Sequence, residues 1–203
     1  GQDWQLPPWR WEGMVAQDFQ WLQARVTTVA RRFDGCRLDH AVGLFRQWIR
    51  RATGGEFSPE HPHDQLERGQ RLLDVLRGAA PDLWLTAEDL GDVPDFVRES
   101  LRARNIPGYG VLRWEWGDGR PRDPRTFPAC SVATWGTHDT SSLASWWASE
   151  LDDVARRQVA SAPGFEAVDA ALVGGTNIHD GLLQALYAAS AADVTVAFPD
   201  AYG

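Results

Sequence analysis

Three short apolar runs that each end on acidic residues constrain the fold of this chain more than any other feature. With their acidic ends they span residues 33–40, 84–89 and 133–139. Short apolar runs separated by amphipathic segments are typical of a parallel sheet with helical connections. Because residues at the carboxyl ends of parallel strands form the active sites of such folds, the three acidic ends predict one active site.

Hydrophobic periodicity along the rest of the chain predicts alternating strands and helices, and therefore an α/β fold with a parallel sheet. Five strands are predicted, at residues 33–38, 83–87, 109–114, 131–135 and 194–198. Helices are predicted at residues 14–32, 41–51, 64–78, 94–104, 140–151, 152–161, 164–172 and 178–191. Loops are predicted where Gly, Pro and polar residues concentrate, at residues 1–13, 53–63 and 117–128.

The charge balance and the cysteine content exclude several classes of function. The 203 residues carry 20 Lys and Arg against 28 Asp and Glu, a net charge of -8 that gives no attraction for nucleic acid or an anionic membrane. No apolar run approaches the roughly 18 residues of a membrane-spanning helix, and we recognise no signal segment. Cys36 and Cys130 form neither a zinc pattern nor a disulfide framework, so we expect reduced thiols and a cytoplasmic location.

Tryptophan is over-represented, with 11 residues in the chain. Each indole can fill a hydrophobic core or stack on the apolar face of a sugar ring, and composition leaves both open. Trp4, Trp9 and Trp11 lie in the segment 1–13, where a loop is predicted and where ligand contact gains weight. We therefore interpret residues 1–13 as an aromatic loop that contacts substrate.

Asp39, Glu88 and Asp139 are the candidates for acid–base chemistry. Cleavage of a glycosidic bond with retention uses one carboxylate as nucleophile and a second carboxyl, about 5 Å away, as proton donor and then base. The donor has to be partly shielded from water, whereas the nucleophile has to stay ionised, which a neighbouring cation favours. Arg37 lies two residues before Asp39 on a predicted strand, so both side chains leave on the same face.

Each of these residues also has a structural interpretation. Asp39 or Asp139 could cap the helix that follows its strand, and Glu88 with Asp89 could form a polar turn. The two histidines that accompany the acids could be structural. Three strand ends would then all carry acids by chance, and this weakens the structural interpretation of the set as a whole.

Five segments of the sequence resemble one known family, the 4-α-glucanotransferases of glycoside hydrolase family 77, which include the amylomaltases and belong to the α-amylase superfamily. The matching segments, in order, are Gly1-Gln2-Asp3-Trp4 with Pro7 and Trp11-Glu12-Gly13-Met14, Arg37-Leu38-Asp39-His40, Ala87-Glu88-Asp89-Leu90-Gly91, Pro107-Gly108-Tyr109-Gly110-Val111-Leu112 and Gly136-Thr137-His138-Asp139-Thr140. A single one of these motifs is a weak signal. All five in order over residues 1–147 are a strong one.

The resemblance implies a catalytic role for each of the three acids. Asp39 is implied as the nucleophile that forms a covalent glycosyl-enzyme, and Glu88 as the general acid and base. Asp139 is implied as the third carboxylate, which binds sugar hydroxyls and favours the distorted ring of the transition state. The resemblance implies no metal and no organic cofactor.

The resemblance also implies a set of substrate-binding residues. The expected partners are malto-oligosaccharides and other α-1,4-glucans. Arg37 and His138 are implied as ligands of the sugar at the cleavage point, and His40 and Asp89 as acceptor-side contacts. Gln2 and Trp4 fall on a family loop that covers the glucan chain.

The resemblance further implies a single-domain (β/α)8 TIM barrel, of which residues 1–203 would supply about the fourth to the eighth strand as a partial barrel. The chain departs from the family near its end, where Pro199-Asp200 stand in place of Gln-Asp. Three functions remain open: a retaining 4-α-glucanotransferase, a hydrolase of the α-amylase superfamily, and a non-catalytic glucan-binding fragment. The transferase is the function that we expect.

Overall fold

The computed structural model describes residues 6–202 of the chain. The chain divides into two compact units, Gly1–Gly108 and Tyr109–Gly203, and each is described by itself. Both contain α-helices and β-strands, in agreement with the predicted α/β class. The assignment of residues 1–203 to a single domain stays a prediction.

The first unit is built around two parallel strands covered by helices. Its elements are α1 (Trp11–Ala16), α2 (Gln20–Ala30), β1 (Gly35–Leu38), α3 (Val42–Phe45), β2 (Gln47–Arg51), β3 (Gly54–Ser58), α4 (Pro62–Ala79), β4 (Trp84–Ala87) and α5 (Asp95–Arg102). Strands β1 and β4 pair in parallel, with Leu38 opposite Ala87. Apolar side chains of β4, α4 and α5, including Leu85, Leu73 and Val97, form the core. The predicted strands at 33–38 and 83–87 are therefore confirmed.

The predicted helix over residues 41–51 is wrong beyond Phe45. Residues 47–51 form β2, which pairs antiparallel with β3. Strand β3 itself lies within residues 53–63, where a loop was predicted. Cross-strand aromatic packing explains the difference, since Trp48 lies opposite Phe57 with ring centroids 4.9 Å apart, edge to face. The guanidinium of Arg46 also lies 4.3 Å from the centre of the Phe57 ring. These contacts outweigh the helical spacing of the apolar residues.

The aromatic loop and the first helix also differ from the prediction. Helix α1 begins at Trp11, so within the described residues the segment without regular structure ends at Arg10. The predicted helix over 14–32 is interrupted between α1 and α2, where Asp18 and Phe19 have positive φ angles. Phe19 is buried in a cluster with Trp11 and Leu72, and burial of this ring accounts for the break.

The second unit contains a three-stranded sheet and a helical layer. Its elements are β5 (Gly108–Val111), β6 (Trp116–Gly117), β7 (Arg120–Pro121), β8 (Ser131–Thr134), α6 (Leu143–Ser145), α7 (Asp153–Ala160), α8 (Glu166–Gly174), α9 (Ile178–Tyr187), β9 (Asp193–Thr195) and α10 (Phe198–Tyr202). Single 3-10 turns cover Leu112–Trp114 and Pro124–Thr126, and a π-helical turn covers Trp146–Glu150. The strand order is β5-β8-β9, with β8 and β9 parallel.

Two strands of the second unit are shorter than predicted, and the loop over 117–128 contains short elements. Strand β5 ends at Val111, and β9 ends at Thr195 before α10 begins. Pro199 lies in the first turn of α10, a position that suits proline and ends the strand pattern. The segment 117–128 contributes to the β6–β7 hairpin and contains a 3-10 turn.

The core of the second unit answers part of the tryptophan question. The indole of Trp135 is 2% exposed and packs edge to face against Trp146 and Phe165, with centroid distances of 5.0 and 6.5 Å. In the first unit, Trp9 and Trp21 are about half exposed and pack on each other. Trp135 and Trp146 therefore fill the core, whereas surface contact remains open for Trp9 and Trp21. None of the helices in residues 6–202 is long and apolar enough to cross a membrane.

Candidate functional site

The guanidinium of Arg37 binds two of the predicted carboxylates at once. Its Nη1 donates to Asp39 Oδ1 at 2.5 Å, and its Nη2 donates to Glu88 Oε2 at 2.9 Å. Sequence alternation predicted the Arg37–Asp39 pair, and the structure adds Glu88 to it. The two carboxylates are thereby brought to the two nitrogens of a single planar cation.

Strand pairing explains why these side chains meet. Arg37 lies opposite Thr86 in the parallel register, and the Glu88 N–H continues the ladder by donating to the Leu38 carbonyl at 2.9 Å. The Ala41 N–H then donates to the Glu88 carbonyl at 2.9 Å. Asp39 and Glu88 therefore lie side by side at the carboxyl ends of β1 and β4, where an α/β fold holds its chemistry.

His40 holds Glu88 through its backbone. The His40 N–H donates to Glu88 Oε2 at 2.9 Å, and the residue has a φ of 47°, in the left-handed region that only a few per cent of non-glycine residues adopt. A Cβ at Gly43 would lie 3.1 Å from His40 Cδ2, so the glycine leaves room for the imidazole. The strained backbone at His40 thus directs a donor at the candidate acid–base residue.

The two carboxylates of this pair differ in their exposure to water. The side chain of Asp39 is 73% exposed, whereas that of Glu88 is 23% exposed. An open carboxylate can reach a bound substrate, and a carboxyl shielded from water is the better proton donor. The sequence analysis required partial shielding of the proton donor, and Glu88 is the more shielded of the two carboxyls.

Asp89 is held within the first unit by Arg98. Its side chain is 11% exposed and accepts from Arg98 Nε at 3.3 Å, while Arg98 Nη2 donates to the Asp89 carbonyl at 3.1 Å. A Cβ at Gly108 would lie 2.4 Å from Asp89 Oδ2. Gly108 is therefore the residue type that allows Asp89 its position, which explains one part of the Pro-Gly motif.

Asp139 and His138 lie in the second unit on a loop of residues 136–142, here called the Asp139 loop, which follows β8. Their side chains are 81% and 68% exposed, and His138 Nε2 is 3.5 Å from Asp139 Oδ2. The Asp139 N–H donates to Thr137 Oγ1 at 3.3 Å. Both side chains are therefore exposed to solvent, while the backbone that carries them is hydrogen-bonded within the loop.

The threonines of the Asp139 loop close it into a turn. Thr140 Oγ1 donates to the Thr137 carbonyl at 2.8 Å and accepts from the Thr137 N–H at 3.1 Å. Thr134 Oγ1 donates to the Gly136 carbonyl at 2.8 Å. A Cβ at Gly136 would lie 2.4 Å from Thr140 Oγ1, so the Gly-Thr-His-Asp-Thr motif has a steric reason for its glycine as well as a hydrogen-bonding reason for its threonines.

The structure thus groups the predicted site residues in two sets, Arg37, Asp39, His40, Glu88 and Asp89 in the first unit and His138 with Asp139 in the second. Gln2 and Trp4 lie outside the described residues. Sequence reasoning missed the ion-pair partner Arg98. It also missed the buried charges of Arg113 and Asp200 in the second unit. Arg113 lies in the apolar strand predicted over residues 109–114, and a charged residue in that pattern was a usable signal.

Among the described residues, one group of side chains could hold a metal ion, His63, Asp64 and Glu67 at the start of α4. All three are exposed, and exposed acidic groups of this kind are common without a metal. Arg37, Asp39, His40 and Glu88, here called the Arg37 cluster, do not form such a group, and neither do the residues of the Asp139 loop.

Comparison with known proteins identifies the family. A family model for 4-alpha-glucanotransferase, glycoside hydrolase family 77, matches residues 1–202. The 4-alpha-glucanotransferase of Chlamydia caviae is 37% identical over 151 residues, 72% of this chain and 28% of that protein. The chloroplastic/amyloplastic 4-alpha-glucanotransferase DPE1 of Arabidopsis thaliana is 24% identical over 100% of this chain and 34% of its own length. The chain thus spans about a third or less of the length of these relatives.

Solved structures of amylomaltases share the fold. The amylomaltase of Streptococcus agalactiae, solved in complex with acarbose, has a TM-score of 0.76 at 20% identity, over 97% of this chain and 38% of that one. The amylomaltase of Corynebacterium glutamicum has a TM-score of 0.63 at 24% identity, over 92% of this chain and 25% of that one. Because the family model covers nearly the whole sequence, the chain belongs to the 4-alpha-glucanotransferases of glycoside hydrolase family 77.

Proposed function

We propose that this chain carries the catalytic carboxylates of a retaining 4-α-glucanotransferase, which moves α-1,4-glucan segments between malto-oligosaccharides. The observation that carries the proposal is the Arg37 guanidinium bound to Asp39 and to Glu88 at the ends of two parallel strands. The family membership of the chain supports the same activity. Malto-oligosaccharides are the proposed substrates because the relatives named above are glucanotransferases.

In the first half-reaction, Asp39 Oδ attacks the anomeric carbon of the donor glucan. The bond from this carbon to the glycosidic oxygen breaks, and Glu88 gives its proton to that oxygen, which leaves as the 4-hydroxyl of the departing glucan. The products are a covalent glycosyl-Asp39 ester and a shortened glucan. Arg37 supports this step because its positive charge stabilises the Asp39 carboxylate before attack.

In the second half-reaction, Glu88 acts as a base. It takes the proton from the 4-hydroxyl of an acceptor glucan, whose oxygen attacks the anomeric carbon and displaces Asp39. Two inversions give net retention, and Glu88 ends protonated again, with the acceptor's proton in place of the one that it donated. The contacts of Glu88 with Arg37 and with the His40 N–H hold it in place for both steps.

The other predicted residues have supporting roles in this proposal. Asp139 binds sugar hydroxyls in the transition state, and His138 and Arg37 contact the sugar at the cleavage point. His40 and Asp89 contribute to the acceptor side, although Asp89 is mostly buried. Gln2 and Trp4 cover the glucan chain. We also propose that the five strands predicted from the sequence correspond to about the fourth to the eighth strand of a (β/α)8 barrel.

Incubation of the protein, at its natural length, with maltotriose alone tests the function. We expect glucose together with maltodextrins longer than maltotriose, and no net rise in reducing ends, because transfer exchanges one glycosidic bond for another. A matched sample of the Asp39→Asn variant should give neither product. A rise in reducing ends without longer products would replace the transferase by a hydrolase, and acarbose binding without any turnover would leave a glucan-binding fragment.

A further inference from the structure

Two buried charged residues of the second unit contact the segment that follows Asp139. Arg113 lies just beyond β5 and is 8% exposed, and Asp200 lies in α10 and is 4% exposed. Burying a charge is unfavourable unless it is paired and hydrogen-bonded, so each needs a structural partner. Arg113 finds partners on Ser141, in the Asp139 loop, and Asp200 finds one on Leu143, the residue directly after the loop.

Arg113 contacts the Asp139 loop at both ends. Its Nη1 donates to the Ser141 carbonyl at 2.8 Å, and its Nη2 donates to Ser141 Oγ at 3.1 Å. A Cβ at Gly136 would lie 3.5 Å from Arg113 Cδ, so the side chain passes along the start of the loop as well. Glu150 completes the arrangement, since it accepts from Arg113 Nη2 at 2.7 Å and from the Ser141 hydroxyl.

Asp200 contacts Leu143, two positions after Ser141. Its Oδ1 accepts from the Leu143 N–H at 2.6 Å, where α6 begins. The Asp200 carbonyl is in turn 2.8 Å from His179 Nε2, which ties this part of α10 to α9. The buried Asp200 carboxylate is therefore hydrogen-bonded to a backbone N–H of the segment that follows the loop.

These two contacts are complementary in polarity and in place. The Arg113 guanidinium donates to the carbonyl of residue 141, and the Asp200 carboxylate accepts from the N–H of residue 143. Residue 142 lies between these two fixed positions in the chain. The start of the loop is fixed by the mutual bonds of Thr137 and Thr140. The backbone is thus held on both sides of His138 and Asp139, whose own side chains remain exposed.

We propose that Arg113 and Asp200 are positioning residues, which fix the backbone of the Asp139 loop so that Asp139 is presented in one orientation. The inference rests on the proposed function, because Asp139 matters to transfer only if transfer occurs. A misplacement of about 1 Å in a catalytic constellation can reduce the rate about 100-fold. Neither residue contacts substrate in this proposal, since both act through the loop.

Amide hydrogen exchange of the Arg113→Lys variant is the first test. Lysine keeps a positive charge near Glu150 but cannot make the forked bonds to Ser141, so we expect faster exchange at residues 137–140 and unchanged exchange in β8. Arg156→Lys is the control, because Arg156 also donates to two backbone carbonyls of this unit, those of Trp147 and Ala148, away from the loop. Equal exchange at 137–140 in both variants would overturn the proposal.

Kinetics of the protein at its natural length give the second test. Arg113→Lys should lower kcat for maltotriose about 100-fold with KM changed less than about threefold, and Ser141→Ala should show the same pattern at a smaller size. Asp200→Asn, which keeps the Oδ1 acceptor, should retain far more activity than Asp200→Ala. A kcat of Arg113→Lys equal to that of Arg156→Lys would contradict the positioning role.

A double variant separates positioning through Asp139 from a general structural effect. In an Asp139→Asn background, Arg113→Lys should add little further loss, because the residue that it positions has already been disabled. Full additivity of the two losses would overturn the proposal. If the wild-type protein does not lengthen maltotriose, the proposed function fails, and the exchange comparison still decides whether Arg113 holds the loop.

Discussion

The Arg37 cluster and the Asp139 loop hold their acids in different ways. In the Arg37 cluster the carboxylates themselves are fixed, since Asp39 and Glu88 both bind Arg37 and Glu88 also accepts from the His40 N–H. In the Asp139 loop it is the backbone that is fixed, while the Asp139 side chain is 81% exposed and lies 3.5 Å from His138. One region restrains side chains, and the other restrains the chain that carries them.

The difference matches the tasks that we propose for the two regions. A nucleophile and a proton donor have to be placed against one bond to a fraction of an ångström, which side-chain contacts achieve. A carboxylate that binds sugar hydroxyls can complete its geometry on the substrate. Substitutions should therefore act through the side chain in the first region and through the loop backbone in the second.

The largest effects are expected from the carboxylates of the Arg37 cluster. Asp39→Asn removes the nucleophile and should abolish transfer, and Glu88→Gln removes the general acid and should lower kcat by about 100- to 10,000-fold. Both are close to isosteric, so thermal unfolding should stay near that of the wild type. Substantial maltotriose disproportionation by Asp39→Asn would refute the role of this residue and with it the contrast between the two regions.

The next largest effect is expected from Arg37→Lys. A lysine cannot bind two carboxylates with the planar fork of arginine, so we expect kcat to fall about 10- to 100-fold. Arg104→Lys is a matched control in the same unit, because Arg104 binds both oxygens of Asp74, at 2.6 and 3.0 Å, outside the cluster. Equal kcat values for the two variants would show that Arg37 does not hold the pair.

The backbone at His40 gives a test that separates conformation from side-chain chemistry. His40→Val should destabilise the protein by about 1–3 kcal/mol, because a β-branched residue is strained at a φ of 47°. His40→Gly accepts this φ and keeps the N–H that binds Glu88, so it should retain more kcat than His40→Val. Chemical denaturation gives the free energy of unfolding of each variant, and maltotriose turnover gives its kcat. Equal free energies of unfolding and equal kcat values for His40→Val and His40→Gly would contradict the prediction.

Gly108 is expected to matter through the space that it leaves for Asp89. Gly108→Ala places a Cβ against the Asp89 carboxylate and should lower the free energy of unfolding by about 1–3 kcal/mol. Gly78→Ala is the control, since a Cβ there meets nothing within 4 Å on an exposed helix position, and it should be neutral or slightly stabilising. Urea unfolding compares the two, and a neutral Gly108→Ala would show that Asp89 is free to move.

The smallest effect is expected from Asp123 in the second unit. Hydrogen bonds from the Arg125 side chain lower the pKa of the Asp123 carboxyl below its usual value of 3.8. A lowered pKa contributes stability that is present at higher pH and is lost as the pH falls through the folded-state pKa. Asp123→Asn keeps a capping side chain for the Arg125 N–H but removes the charge.

The stability difference between wild type and Asp123→Asn should therefore be small and constant above about pH 4 and shrink below it. Urea unfolding at a series of pH values measures it. A difference that grows as the pH falls would contradict the assignment, because the sign of the pKa shift would then be opposite.

The Arg37 cluster could be predicted from the sequence because its geometry is local to two strands. Alternation along β1 places Arg37 and Asp39 on one face, and the acidic ends of parallel strands meet at one edge, where Glu88 is found. The order of five motifs also identified the family, which the family model confirms. The proposed roles of the individual residues stay predictions.

Other features depend on partners far apart in the chain, and no local pattern specifies them. Strands β2 and β3 form because Trp48 packs on Phe57, although the spacing of the apolar residues suggested a helix. Asp200 binds the Leu143 N–H across 57 positions, and Arg113 binds Glu150 across 37. The fixing of the Asp139 loop was therefore visible only in the structure.

A covalent adduct on Asp39 would decide the proposed mechanism. The Glu88→Gln variant, at the natural length of the protein, would be given α-maltotriosyl fluoride, whose fluoride leaves without a proton donor, so that the first half-reaction proceeds and the second lacks its base. Peptide mass spectrometry should then find one maltotriosyl group on the peptide that contains Asp39, and no adduct when Asp39→Asn is added. Fluoride release with the sugar on another residue, or with no adduct at any time, would contradict the assignment of Asp39 and Glu88 as nucleophile and acid–base pair.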